Sequence, residues 1–366
     1  MNQKYKFFLI MPFFLISGLF AVNPFVFNFS FFDWIFDLFN FEKDAGIFMS
    51  FNSGETWQQK VYVSKRSNIA GAEILTIEMD PSNLKIVYLG TKSDGLWKSM
   101  DGGEVWYQIR DVNKKLSTRA NIYDIAIDPN NTNIIYAGVY QQKYGRLFRS
   151  QDAGITWKEL YITPRSAYAI FAVAVDPLNS SAVYMGTAEG ILFKSSNYGE
   201  SWRTIKSFDD VISDIKIYLN NSNIIYVSTF ERGVYKTIDR GQSWQSFEKE
   251  LRQFNGAAEV ENLVLDFKNS DILYVGSKYG ILKTIDGGQN WQRISLVTPI
   301  GLTPISGMAV NLSNHNEIFY GADSVVYKTI DGGKNWSLST LPSKQKIRVM
   351  AIDNEFTNVL YIGMGK

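Results

Sequence analysis

The sequence predicts an all-β fold, a seven-bladed β-propeller of four-stranded blades, whose ring is closed by a composite blade from both termini. Three observations predict it. One eight-residue motif recurs seven times: Ser or Thr, any residue, Asp or Asn, any residue, Gly, two more residues, then Trp. The tryptophans are 49, 51, 45, 42, 47 and 45 residues apart, which is the period of one propeller blade. The chain also ends in the first half of a repeat and starts, after its N-terminal segment, in the second half.

The residue types of the motif predict a tight β-hairpin. The Asp or Asn oxygen accepts backbone N–H bonds inside the turn, and the Gly provides a positive φ without steric cost. The Trp then buries a large apolar face on the following strand. The seven copies are Ser50–Trp57, Ser99–Trp106, Ser150–Trp157, Ser195–Trp202, Thr237–Trp244, Thr284–Trp291 and Thr329–Trp336.

These copies resemble the Asp-box, or BNR repeat. Similar boxes occur in sialidases, xyloglucanases, sortilins and single-propeller proteins of the photosystem II assembly-factor type. The resemblance implies that each box is a structural hairpin at the edge of a blade. We therefore expect neither a metal site nor a cofactor at the seven box positions.

Two further strand patterns precede each box. The first is a short apolar strand such as Ile122–Asp128, and the second carries an aromatic residue and usually a glycine, as in Ile135–Gly138. With the two strands of the box hairpin they make the four strands of a blade. Closure of the ring removes open sheet edges. The predicted propeller, residues 46–366, has six complete blades, 71–110, 120–160, 168–206, 211–248, 259–295 and 305–339, and a closing blade that joins 347–366 to 46–60.

The N-terminus predicts export. Lys4 and Lys6 precede an uncharged run over residues 7–22, which is typical of a signal peptide or an uncleaved signal anchor, here residues 1–23. Residues 24–45 are rich in aromatic side chains at helical spacing and predict an amphipathic tether that contacts the membrane. A helix packed on the propeller rim and a disordered tether stay open as alternatives. The expected location is extracytoplasmic, either membrane-anchored or secreted.

Composition argues against most catalytic sites. The chain has no cysteine, and its single histidine, His315, lies in a predicted surface turn. The Arg-Ile-Pro opening of sialidases is absent, and xyloglucanases with this repeat use two propellers where the repeats here make one. The net charge of +1 gives no general attraction to nucleic acid. We therefore expect a monomeric propeller that is not an enzyme and does not bind nucleic acid.

The central channel offers one candidate site. Because side chains alternate along a strand, the apolar Ile125, Ile215 and Leu263 imply that the residues before them face the channel. Those residues are Asp124, Asp214 and Asn262. They predict either a carboxylate pair for acid–base chemistry or ion binding, or a hydrated channel with a polar lining.

The connections between blades offer a second candidate site. Segments 337–348, 58–72, 107–121 and 158–167 carry net charges of +3, +3, +3 and +1 and are neighbours in the closed ring. The other three carry 0, −2 and +1 (203–212, 245–261 and 292–306). The candidate binding residues are Lys65, Arg66, Lys114, Lys115, Arg119, Arg165, Lys344, Lys346 and Arg348.

A basic half-face of this kind attracts anionic partners over about 8 Å at physiological salt. The sequence therefore favours a non-catalytic binding or scaffold propeller that docks a protein or another anionic partner. The resemblance to the assembly-factor type implies the same role. The alternative is a propeller that binds or hydrolyses a glycan at the channel mouth.

Overall fold

The computed structural model describes residues 44–64, 67–302 and 304–366. Their backbone forms seven four-stranded antiparallel sheets and one additional hairpin. In the six continuous blades the strands follow one another outward in chain order, so that each blade is a simple meander. The all-β, seven-bladed propeller predicted from the repeats is confirmed.

The strands are numbered in chain order and grouped by blade. Blade 1 contains β5 (Glu73–Met79), β6 (Val87–Lys92), β7 (Leu96–Ser99) and β8 (Tyr107–Gln108). Blade 2 contains β9 (Asn121–Ile127), β10 (Ile135–Gln141), β11 (Tyr144–Ser150) and β12 (Lys158–Ile162). Blade 3 contains β13 (Ile170–Val175), β14 (Val183–Thr187), β15 (Ile191–Ser195) and β16 (Arg203–Ser207). Blade 4 contains β17 (Ile212–Ile217), β18 (Ile225–Thr229), β19 (Gly233–Thr237) and β20 (Gln245–Ser246).

Blade 5 contains β21 (Val260–Leu265), β22 (Leu273–Ser277), β23 (Ile281–Thr284) and β24 (Gln292–Ile294). Blade 6 contains β25 (Met308–Val310), β26 (Ile318–Ala322), β27 (Val325–Thr329) and β28 (Ser337–Thr340). Blade 7, the closing blade, contains β29 (Lys346–Ile352), β30 (Leu360–Gly365), β1 (Ile47–Ser50) and β2 (Gln58–Gln59).

Blade 7 joins the two ends of the chain. Strand β1 pairs antiparallel with β30, with Ile47 opposite Gly363 and Ser50 opposite Leu360. Strand β2 then pairs with the outer side of β1. The predicted composite closure is therefore confirmed, and its backbone hydrogen bonds hold the first and last strands of the ring together.

The meander gives the propeller two different faces. Each blade starts its first strand at one end and finishes its fourth strand at that same end, because four antiparallel strands reverse direction three times. The connections between blades and the turns between second and third strands therefore form one face, here called the connection face. The turns between first and second strands and the Asp-boxes form the opposite one, here called the turn face.

The box hairpins show why the motif needs its residues. In blade 2 the Asp152 carboxylate accepts hydrogen bonds from the Ser150 hydroxyl and the Thr156 N–H, both at 2.8 Å. Gly154, at φ 98°, donates its N–H to the Ser150 hydroxyl. Ala153 donates to the carbonyl of Asn133 and ties the box to the neighbouring turn. The boxes are structural hairpins, as the resemblance implied.

Three local features differ from the sequence expectation. The connection that follows blade 7 contains a short hairpin, β3 (Tyr62–Ser64) with β4 (Ser67–Asn68). The connection after blade 4 contains a single helical turn, α1 (Glu248–Leu251). The first strand of blade 6 begins at Met308 rather than Ile305, and the preceding Ser306 donates its N–H to the Pro304 carbonyl instead of a strand partner.

Candidate functional site

The connection face carries exposed basic side chains from three connections. Lys114, Lys115 and Arg119 lie between blades 1 and 2, Arg165 lies between blades 2 and 3, and Lys344, Lys346 and Arg348 lie at the entry to blade 7. All seven are exposed. The other two predicted residues, Lys65 and Arg66, lie outside the described residues. We call the seven described side chains the basic cluster.

One buried carboxylate shapes the first of these connections. Asp111 is 6% exposed and accepts backbone hydrogen bonds from Asn113, Lys115 and Leu116, and also from Trp157 of the next blade. The carboxylate of Asp111 thus stabilises the loop through these hydrogen bonds. The side chains of Lys114 and Lys115 are left facing solvent.

The entry to blade 7 is fixed by contacts across the chain. The N–H of Lys344 donates to the Asp44 carboxylate at 2.5 Å, and the N–H of Ile347 donates to the Asp323 carbonyl. Arg348 lies where β29 and β30 slip register between Ile347 and Val349. Within the described residues, none of the seven basic side chains forms an ion pair.

The opposite arc of the connection face is acidic. Around α1, Glu248 pairs with Arg252 at 2.8 Å, and Lys278 approaches Glu259 at 3.4 Å. Burial raises the pKa of the nearby Glu261, and the charge of Arg348 partly offsets this. Residues 245–261 thus differ in net charge from the basic connections, and the binding role of the basic half-face stays a prediction.

Aromatic side chains lie beside the channel on this same face. The rings of Tyr123 and Phe171 meet edge to face at 4.6 Å, and Phe171 meets Phe230 in the same way at 6.0 Å. Tyr123 and Phe171 lie near the start of their first strands, and Phe230 is in the turn that follows β18. These rings pack on one another rather than offering a row of parallel faces.

The channel itself holds a cavity of about 550 Å³ that extends toward the turn face. Asp124 and Asp214 line it, together with Glu78 and Lys216, which the sequence reasoning missed. The alternation rule could have found both. Lys216 lies two residues after Asp214, on the same side of its strand, and Glu78 has the same place in β5. Asn262 is not part of the cavity wall; its amide donates to the carbonyls of Ile305 and Ser306 in the next blade.

The channel carboxylates are held by the backbone. Asp124 accepts the N–H of Val173 in the next blade at 2.7 Å and that of Ile125 at 2.9 Å. Asp214 accepts the N–H of Ile215 and pairs with Lys216 at 3.0 Å. The bond to Val173 makes Asp124 a link between blades 2 and 3.

The channel groups shift one another's pKa. Burial, reinforced by Asp124, raises the pKa of Glu78 to about 8. Burial and then the charge of Asp214 raise the pKa of Asp124 to about 7. Burial alone would lower the pKa of Lys216, but the neighbouring carboxylates raise it. At neutral pH the Glu78 carboxyl is therefore mainly protonated, and the pKa of Asp124 lies in the same range as the pH.

A metal site and a membrane-spanning helix are both absent from the described residues. Residues 44–64, 67–302 and 304–366 contain no group of three or more His, Cys, Asp or Glu side chains able to hold a metal ion. No helix among them is long and apolar enough to cross a membrane. The predicted signal segment and nearly all of the predicted tether lie outside the described residues, so export and membrane contact stay predictions.

Two family models match parts of the chain. Residues 205–350 match the model described as photosynthesis system II assembly factor YCF48, and residues 145–259 match the model described as sortilin, neurotensin receptor 3. The predicted resemblance to these Asp-box propellers is confirmed. No curated protein matches the chain by sequence.

Solved structures share the fold at low sequence identity. A GH74 enzyme from Niastella koreensis is 18% identical with a TM-score of 0.64, covering 80% of this chain and 51% of the enzyme. The GH74 xyloglucanase from Xanthomonas campestris is 15% identical with a TM-score of 0.65, covering 83% and 52%. A YCF48 structure with a bound D1 peptide is 14% identical with a TM-score of 0.60, covering 81% and 93%. The chain thus spans about half the length of the two GH74 enzymes, and these likenesses show the fold alone.

Proposed function

We propose that this chain is a non-catalytic binding propeller that docks an acidic segment of a partner protein on the basic cluster. One observation carries the proposal: seven exposed basic side chains converge on one half of the connection face, and none is neutralised by an ion pair within the described residues. Some other basic groups near the edges of blades do have acidic partners, such as Lys158 with Glu200 and Arg146 with Glu159. Unpaired charge on a nearly neutral protein attracts a complementary partner.

Two comparisons support a protein ligand. One of the propellers with the same fold was solved with a D1 peptide bound, and the family model over residues 205–350 describes an assembly factor. That matched range includes Lys344, Lys346 and Arg348, the part of the basic cluster at the entry to blade 7.

Fluorescein-labelled poly-L-glutamate is a direct probe of this proposal. The test variant reverses three charges of the basic cluster, Arg119→Glu, Arg165→Glu and Lys346→Glu, and leaves Arg348 because its side chain packs beside Gly365. The matched control reverses three exposed charges on the turn face, Arg240→Glu, Lys268→Glu and Lys334→Glu. We expect the test variant to weaken binding, measured by fluorescence anisotropy, by about 100-fold at low salt, from about 1 kcal/mol for each charge.

The control distinguishes binding at a local surface from a general effect of net charge, since both variants change the net charge equally. We expect it to weaken binding less than about threefold, because its charges lie on the other face and are screened over about 8 Å. Equal losses in the two variants, or wild-type binding that does not saturate, would rule out a binding surface on the basic cluster.

A glycan-directed function is the second candidate, and the channel favours it. Asp124 and Glu78, whose pKa values are raised to about 7 and about 8, lie near Asp214 in a cavity of about 550 Å³. Carboxyl groups whose pKa values are raised in a cleft are candidates for acid–base chemistry. Release of reducing sugar from xyloglucan by the wild type, lost in both Asp124→Asn and Asp214→Asn, would favour this candidate over a purely binding role.

A further inference from the structure

A recurring pair of side chains reinforces six of the seven blades. An aromatic residue on the second strand lies directly opposite a basic residue on the third strand. The pairs are Tyr88–Lys98, Tyr136–Arg149, Tyr184–Lys194, Tyr226–Lys236, Tyr274–Lys283 and Phe319–Lys328. The five lysine ammonium groups lie 4.9 to 5.6 Å from the ring centroids, which is cation–π distance.

Three of these cations also reach the next blade. Lys98 Nζ donates to the carbonyl of Ala153, and Arg149 donates to the carbonyl of Tyr198 at 2.6 Å, both in the box of the following blade. Lys236 Nζ pairs with Asp271 of the next blade at 3.0 Å, whereas Lys328 pairs with Glu317 of its own blade. In three blades the cation thus links its aromatic ring to the next blade across the seam, the contact between neighbouring blades.

The closing blade lacks this cation. There the residue opposite Tyr361 is Met49, which is fully buried. The acid of this blade, Asp353, is only 4% exposed. One of its oxygens accepts the N–H groups of Glu355 and Phe356, and the other has no hydrogen-bond partner among the described residues. This free oxygen keeps contact with solvent, so it is open to a cation that enters the seam.

A second sequence difference also leaves space at the seam between blades 7 and 1. At three other seams a polar side chain of the next blade contacts the acid of the preceding blade: Ser180 donates to Asp128, Ser222 donates to Asp176, and His315 contacts Asp266. Each of the three polar residues stands four residues after the position that corresponds to Asp353 in its own blade. At the seam between blades 7 and 1 the corresponding residue is Leu84, which cannot bridge to Asp353. The seam of Asp353 therefore lacks both the cation opposite Tyr361 and the polar side chain that would bridge from the next blade.

An open cavity lies where the missing cation would be. It has a volume of about 370 Å³, and its wall includes Tyr361, Asp353, Leu84 and Gly102. A Cβ atom built on Gly287, the counterpart of Gly102, would lie 2.5 Å from Lys236 Nζ. A Cβ atom on Gly102 would meet only the Tyr361 hydroxyl, at 3.9 Å. The ammonium site that is filled between blades 4 and 5 is empty between blades 7 and 1.

The rim of this cavity suits a positively charged chain. Phe51 and Phe356 line it and are 45% and 57% exposed. The carboxylates that line it are Asp101, Glu104, Glu355 and Asp353, with one cation, Lys85, in the wall. Lys60 pairs with Glu104 and lies 5.5 Å from the centroid of the Phe51 ring, which leaves Asp101, Glu355 and Asp353 to favour a further cation. Exposed aromatic rings beside carboxylates favour an alkylammonium over a neutral or anionic ligand.

We infer that this cavity, the seam pocket, binds a lysine side chain of a partner protein. The side chain supplies from outside the cation that six blades supply from within. Five of those six internal cations are lysines, so the geometry is that of an alkylammonium with an apolar stem. The exposed Phe51 and Phe356 then contact the residues that flank the bound lysine.

The probe for this inference is Nα-acetyl-L-lysine N-methylamide, titrated into the full chain by NMR or calorimetry. We expect saturable binding to the wild type and at least tenfold weaker binding to Asp353→Asn, which keeps the turn because an amide oxygen still accepts its N–H groups. Asp80→Asn is the matched control, because the seam of Asp80 holds its own Lys98, and it should bind as the wild type does. The norleucine analogue, which lacks the ammonium, should not bind.

A second variant fills the pocket from within. Met49→Lys places an ammonium opposite Tyr361, as in the other blades, and should abolish binding of the lysine probe, whereas Met49→Leu should retain it. Unchanged binding to Met49→Lys or Asp353→Asn, equal binding of the norleucine analogue, or no saturable binding to the wild type would overturn the inference. The seam pocket lies on the turn face, so these outcomes are independent of poly-L-glutamate binding on the connection face.

Discussion

At the scale of single residues, the channel shows how one position can serve structure rather than chemistry. Asp124 and Asn262 occupy the same position in different blades, and both bond to the backbone of the next blade. The carboxylate accepts an N–H of the next first strand, and the amide donates to carbonyls that precede that strand. These two polar side chains therefore fasten neighbouring blades around the channel, whereas Asp214, at the same position in blade 4, pairs with Lys216 of its own strand.

Glu78 gives a prediction about pH. Because burial and Asp124 raise its pKa to about 8, the folded state holds a proton that the unfolded chain releases above about 4.5. Its contribution to stability is therefore present at low pH and is lost as the pH rises from about 4.5 to about 8. We expect Glu78→Gln to unfold at the same temperature as the wild type at pH 4.5 and several degrees higher at pH 9.

Thermal unfolding followed by circular dichroism measures this difference, with Glu55→Gln as the control for an exposed carboxylate. The control should follow the wild type at both pH values. A Glu78→Gln variant that is less stable than the wild type at pH 9 would mean that the ionised carboxylate is favourably bound in the channel, contrary to this account.

Part of the channel could be predicted from the sequence, and the omissions have a clear cause. Apolar neighbours placed Asp124 and Asp214 on the channel side, and both line the cavity. Glu78 and Lys216 were not predicted because the pattern of apolar neighbours marks one position in each strand. The residue two positions further along lies on the same face of the strand. That Asn262 would turn to the next blade depends on the carbonyls it meets, which no local pattern reveals.

At the scale of the element, the Asp-box is the unit that repeats. Asn replaces Asp in two boxes, and its side-chain oxygen keeps the same bonds: Asn52 accepts the N–H of Thr56, and Asn197 accepts that of Ser201. The element therefore requires an acceptor oxygen at this position rather than a negative charge. This is the physical reason why the five boxes that carry Asp do not make five acid sites.

The box at Asp152 tests that requirement. Asp152→Ala removes the acceptor of Ser150 and Thr156 and should destabilise the propeller by about 1–2 kcal/mol, from the loss of these hydrogen bonds. Asp152→Asn keeps the acceptor and should cost less than half as much. Urea unfolding of the three proteins gives the two differences, and equal losses in both variants would show that charge, not the acceptor, is what the box uses.

The elements that sequence reasoning missed lie in connections. The hairpin β3–β4 and the helical turn α1 are each four or fewer residues per element, too short for a periodic pattern to emerge. The strands of the blades were found because the repeat presents each pattern several times. Repetition supplies the information that a single short segment lacks.

At the scale of the whole molecule, closure of the ring brings distant parts of the sequence together. Lys344 and Arg348 come from the last part of the chain, yet they share a half-face with Lys114 and Arg119 because β30 pairs with β1. Closure also creates the seam pocket, whose wall combines Phe51 from the start of the propeller with Asp353 and Tyr361 from its end. Both candidate surfaces therefore depend on the composite blade.

Hydrogen exchange with and without poly-L-glutamate tests the central claim, a binding surface on the basic half of the connection face, most directly. Mass spectrometry reads the protection of each connection separately. We expect slower exchange in residues 107–121, 158–167 and 337–348 and no change in 203–212, 245–261 and 292–306, because the first three segments carry the seven residues of the basic cluster and the other three carry none of them. Protection confined to the second group, or to the Asp-boxes of the turn face, would contradict the account.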